Sequence, residues 1–174
     1  MLFRSVFRRT WWPHRAELGR VEGIAGLHDT ERHPDAKLLP GLVVYRFDAP
    51  LIFANARMFG DSLRAIAEKH PDLRWLIVAA EPITDVDTTA AAMLDRLAEE
   101  LTQAGITLAF AELKDPVRDR LRRYGVLERI PEDHIYPTIG TAVSAYLQAS
   151  GEPWTDWEDG ARVDAPSIEP PGSP

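Results

Sequence analysis

Residues 81–94, EPITDVDTTAAAML, gather the carboxylates and hydroxyls best placed to bind a ligand or to be modified. They follow a short apolar run, Trp75–Ala80, and open a stretch with helical spacing. In open parallel sheets, ligands meet the protein at the carboxyl ends of strands. The first N–H groups of a helix are unpaired and electropositive, so anions are stabilised there. Asp87 or Thr88 is placed to cap the helix, and Thr89 falls in its first turn with its hydroxyl near the surface. A phosphate on Thr89 would lie in the favourable field of the helix terminus, although close to Asp85 and Asp87. An Asp/Thr-rich helix start is also an ordinary cap. The residues alone leave both readings open.

Two further segments carry candidate groups. In LIFANAR, residues 51–57, Phe53 reads as the end of a strand and Asn55 as the cap of the next helix. With Asp85, Thr88 and Thr89, Asn55 could also form a shallow site. The run KDPVRDRLRRYG holds Lys114, Arg118, Arg120, Arg122 and Arg123, with Arg118 and Arg122 spaced to share a helix face. Such a helix suits phosphate, lipid headgroups or an acidic loop. It equally suits a solvated face whose cations offset Glu112, Asp115 and Asp119.

Several chemistries are excluded or unsupported. With no cysteine there are no disulfides, thiolate metal sites or thiol nucleophiles. There is neither a G-x-x-x-x-G-K-[ST] loop nor a G-x-G-x-x-G fingerprint, and no serine sits in a nucleophile elbow. The five histidines lack metal-ligand spacing. His28 and His33 share a loop with Asp29, Glu31 and Asp35, which reads as a polar loop and not a metal site. No catalytic residue, metal or cofactor is implied.

These groups need a framework. Ala16–Val21 alternates, Leu42–Phe47 is β-branched and aromatic, and Trp75–Ala80 and Ile106–Ala111 are near-continuous apolar runs, as strands covered on both faces require. Between them lie helical patterns at 54–69 and 88–103, the latter closed by Gly105. Shorter ones follow at 116–124 and 138–149. The alternation predicts an α/β domain with a four- to five-stranded, mostly parallel sheet flanked by about four helices.

Composition divides the 174 residues into three zones. Residues 1–15 form a basic arm rich in Phe and Trp, residues 16–150 the domain, and residues 151–174 an acidic, Pro-rich tail expected to be disordered. Residues 1–20 carry five arginines against one acid, and 151–174 six acids against one arginine. The overall charge of −7 makes the folded part a poor nucleic-acid binder. Arginine mixed with tryptophan suits a membrane–water interface, and a solvated arm equally well. No window approaches the roughly 20 apolar residues of a membrane span.

Asp87-Thr88-Thr89-Ala90, after a strand and at a helix start, resembles the D-[ST]-[ST]-[GA] motif of the STAS fold of sulfate transporters and anti-sigma-factor antagonists. In order and spacing ELGRVEG, PGLVVYRFDAPLIFANA and ITDVDTTAAAML resemble blocks of the C-terminal domain of bacterial SulP permeases, over roughly residues 12–150. That resemblance implies a non-enzymatic regulatory domain on the cytoplasmic side of the inner membrane, in a transporter of the sulfate or bicarbonate class. Its implied partner is the transporter's own transmembrane domain. It implies a monomeric isolated domain within a dimeric transporter, a juxtamembrane role for the arm, and a Met1 that is not a native start. It places the LIFANAR loop beside the D-T-T loop, on a surface for a regulatory protein or a nucleotide. The antagonist branch implies a free-standing regulator phosphorylated at Thr89, from which threonine for serine and Ala90 for glycine are departures. A weak GTP- or ATP-binding domain is the remaining alternative.

Overall fold

The structure is a computed structural model describing residues 12–151. The readings made of the arm before Trp12 and of the tail after Gly151 lie outside the described residues. Six strands occur among them: β1 (Arg15–Arg20), β2 (Leu27–Asp29), β3 (Leu42–Phe47), β4 (Trp75–Ala79), β5 (Thr107–Ala111) and β6 (Ile135–Tyr136). Four α-helices occur among the described residues: α1 (Ala56–Lys69), α2 (Thr88–Gln103), α3 (Asp115–Arg123) and α4 (Ile139–Ser150). One sheet runs in the order β2-β1-β3-β4-β5-β6. β3 to β6 pair in parallel, and β1 joins β3 and β2 antiparallel.

The sheet has six strands where four to five were expected. The additions are three and two residues long, too short to display a period of two. Only pairing such as Phe110 with Ile135 defines them. The long elements follow their side chains. In β3, Val43, Tyr45 and Phe47 face one layer while Leu42 and Val44 face the other. α1, α2 and α3 cover the first layer, and Leu94, Leu97 and Leu101 of α2 are buried there. Each contributes about 2 kcal/mol of transfer free energy. α4 packs on the second layer, where Ala79, Ala109 and Ala111 keep the sheet surface low.

One polar tie joins β1 to the end of α1. Glu17 accepts hydrogen bonds from Lys69 Nζ at 2.8 Å and His70 Nε2 at 2.9 Å. Burial alone would raise its pKa, but the bonds from Lys69 and His70 outweigh burial and hold the carboxyl below its ordinary range. A carboxylate depressed in the folded state adds stability above its unfolded pKa and loses it as pH falls through the folded value. The wild type is therefore expected to shed this contribution below about pH 4.5, the ordinary glutamate value. Glu17→Gln is expected to be less stable at pH 7 and to show a shallower acid loss. Urea midpoints across pH 3–7 test this, and parallel curves for the two proteins would refute it.

Candidate functional site

The two loops singled out by sequence lie side by side at the carboxyl ends of β3 and β4. A single parallel bridge, Leu51 with Val86, joins them. Leu51 N–H donates to the Asp85 carbonyl at 2.9 Å, and Asp87 N–H donates back to the Leu51 carbonyl at 3.2 Å.

Asp87 is the cap of α2. Its Oδ1 accepts from Ala90 N–H at 2.8 Å, while its Oδ2 accepts from Phe53 N–H at 2.7 Å. One carboxylate thus closes the helix terminus and fixes the neighbouring loop. Asn55 departs from expectation. It stands at the cap position of α1 but makes no capping hydrogen bond with its side chain. Fully buried, it accepts from Ile52 N–H at 3.0 Å and donates to the Pro50 carbonyl at 2.9 Å. It braces its own loop, because a buried amide must satisfy both ends. Phe53 also departs: it does not end a strand but stands 67% exposed.

Of the five loop residues proposed as a site, three are therefore structural supports. Asp85 accepts from Val86 N–H at 2.7 Å and pairs with Arg120. Thr88 and Thr89 are exposed. They are the two whose hydroxyls can meet something outside the domain.

The basic helix is largely neutralised. Arg118 and Arg122 share a face as their spacing predicts, and both reach Glu132, Arg122 at 2.7 Å. Arg122 also pairs with Asp119 at 2.7 Å, and Lys114 with Glu81 at 3.2 Å. The acids that meet these cations come mainly from other loops, and Glu112 and Asp115 are not among them. The exposed pairs are individually weak, but together they tie α3 to the segment before β6 and to the Asp85 loop.

In the histidine loop, Asp29 accepts from Glu31 N–H at 2.8 Å and lies 3.2 Å from His14, while His28 lies 3.0 Å from the Ala25 carbonyl. Among the described residues no three His, Cys, Asp or Glu side chains form a metal-sized group, and no helix is long and apolar enough to cross a membrane.

Comparison with known proteins places these observations. The STAS domain family model matches residues 33–142. A probable sulfate transporter of Mycobacterium tuberculosis is 45% identical over 143 residues, which are 82% of this chain and 26% of that protein. The chain thus spans about a quarter of the length of the curated relatives it matches. Among solved structures, the murine Solute Carrier 26 family member A9 anion transporter, in its inward-facing state, superposes with a TM-score of 0.72 at 20% identity. That match covers 85% of this chain and 24% of the other. The STAS domain of a SulP transporter from Vibrio cholerae gives a TM-score of 0.56 at 24% identity, over 70% of this chain and 92% of the other. At these identities the two structures speak for the fold.

Proposed function

The chain belongs to the STAS domain family, and from that premise we propose that it is the cytoplasmic regulatory domain of a SulP-type anion transporter of the sulfate or bicarbonate class. The observation that carries this reading is the 45% identity to the mycobacterial transporter over 82% of this chain. The fold serves transporters and a candidate anti-sigma factor antagonist alike, and the sequence likeness to transporters supports the first reading. The matches are to transporters and to the STAS domain family, and in this reading the domain performs no reaction of its own.

Its work is to bias the membrane domain between transport states. That requires different contact free energies in the two states. Thr88 and Thr89 provide the contact, held in place by Asp87, Asp85 and Asn55. The transporter acts as a dimer through its membrane part, the domain lies on the cytoplasmic face of the inner membrane, and the arm before Trp12 is the juxtamembrane link.

The test is transport by the full-length protein carrying Thr88→Ala and Thr89→Ala together. Both side chains are exposed, so the thermal midpoint of the isolated domain is expected to move little, within about 0.5 kcal/mol of stability. Transport at fixed substrate is expected to change several-fold. Unchanged transport at unchanged expression would remove these hydroxyls from the coupling surface. Cell fractionation tests the larger claim. A free soluble species of this chain's own size would turn the reading toward an antagonist-like regulator switched at Thr89.

A further inference from the structure

His14 is the residue through which the chain enters the sheet. It directly precedes β1, and its carbonyl accepts at 2.9 Å from the N–H of Asp48, the residue that follows β3. Its side chain stands between two carboxylates that come from different strands. Nδ1 lies 3.1 Å from Asp48 Oδ2. Nε2 lies 3.2 Å from Oδ2 of Asp29, the last residue of edge strand β2.

Both ring nitrogens therefore face acceptors. A neutral imidazole carries one N–H and one lone pair, and only the imidazolium donates from both nitrogens. With the ring neutral, one nitrogen turns its lone pair on a carboxylate oxygen, and the attraction between opposite charges is lost at both. The side chain is 45% exposed, so it exchanges its proton with solvent.

The surrounding groups hold the two acceptors in place. Asp48 Oδ1 accepts from Arg46 Nε at 2.6 Å. Asp29 Oδ1 accepts from Glu31 N–H at 2.8 Å, and Arg32 Nε lies 3.7 Å from its other oxygen. Burial would raise the Asp29 pKa, but the N–H groups of Glu31 and Arg32, together with His14, outweigh it and hold the carboxyl below its ordinary range. His28, the neighbour of Asp29 on β2, is engaged elsewhere, with Nε2 3.0 Å from the Ala25 carbonyl.

We propose that His14 is a proton-responsive clamp at the entry to the domain. Charged, its side chain ties the start of β1 to the edge strand β2 and to the turn after β3 at once. Neutral, it keeps one tie. The backbone bond from Asp48 N–H holds that side whatever the ring does, so the contact released is the one to Asp29. The clamp is closed at low pH and opens as pH rises through about 5 to 8, where histidines ordinarily change charge. Residues 1–13 reach the sheet only through His14, so the proton on this ring sets how firmly the entering chain is held to the sheet edge. The clamp stands on the geometry of the domain and does not depend on the transporter reading.

Nuclear magnetic resonance of the 174-residue chain tests it. At pH 5.5 both ring nitrogens of His14 are expected to carry a proton, and at pH 8 only Nδ1. The carboxyl carbon signal of Asp29 and the amide signals of β2 should follow the ring with the same midpoint. His14→Gln, which can donate to one carboxylate only, should remove that dependence. Its unfolding constant should exceed that of the wild type about threefold at pH 5.5, the worth of an exposed ion pair, with the difference gone by pH 8. A ring with a single proton at pH 5.5, or Asp29 signals that ignore its titration, would overturn the proposal. So would a difference from His14→Gln that is the same at both pH values. If the variant failed to fold, the wild-type spectra alone would decide.

Discussion

Asn55→Leu is expected to lower the unfolding free energy by about 3 kcal/mol, although the change makes the core more apolar. Leucine is close to asparagine in size and suits a position with no exposed surface. The cost lies in what it abandons: the Ile52 N–H and the Pro50 carbonyl, each now bonded to the amide at 3.0 and 2.9 Å. A buried backbone group left without a partner costs about 1–3 kcal/mol, and two such groups exceed the hydrophobic gain. For a domain of this size the thermal midpoint should fall by about 6–12 °C. Calorimetry decides it. A change within 2 °C would mean that Asn55 does not brace the loop as described.

This role could not be read from the sequence, and the reason is physical. Asn before a helical pattern is the ordinary signature of a cap. Whether its side chain turns to its own helix or back to the preceding loop depends on the path of residues 50–54, which the Leu51–Val86 bridge sets from 35 positions away. Phe53 misled for a related reason. Leu51-Ile52-Phe53 has strand composition, but only Leu51 finds a pairing partner, and the chain then turns into α1.

What local pattern determines was legible. α2 spans Thr88–Gln103 as its spacing and the glycine at 105 require, and β3 spans Leu42–Phe47. β2 and β6 were hidden because each exists only through its neighbour. The basic helix was legible in its geometry, with Arg118 and Arg122 on one face, but Glu132 was not foreseen as their shared partner. Long-range ion pairing leaves no periodic trace.

The D-T-T segment separates support from surface, and Asp87→Ala against the double threonine change makes the separation measurable. Asp87→Ala is expected to cost about 2–4 kcal/mol. It removes the cap of α2, worth about 0.5–2 kcal/mol, and a charged acceptor for Phe53 N–H, worth about 1.5–3 kcal/mol. Part of the sum is recovered because water reaches the Phe53 side. Asp87→Asn keeps an oxygen for Ala90 N–H and gives up the charge and the acceptor for Phe53 N–H, so its loss should be about 1–2 kcal/mol, below that of Asp87→Ala. Thr88→Ala with Thr89→Ala should leave stability nearly unchanged. Urea denaturation of all three variants, at constant slope, reads the order directly. If the threonine pair proved as destabilising as Asp87→Ala, their hydroxyls would belong to the scaffold and not to a contact surface. If Asp87→Ala were silent, Asp87 would not tie the two loops as its bonds to Ala90 N–H and Phe53 N–H require.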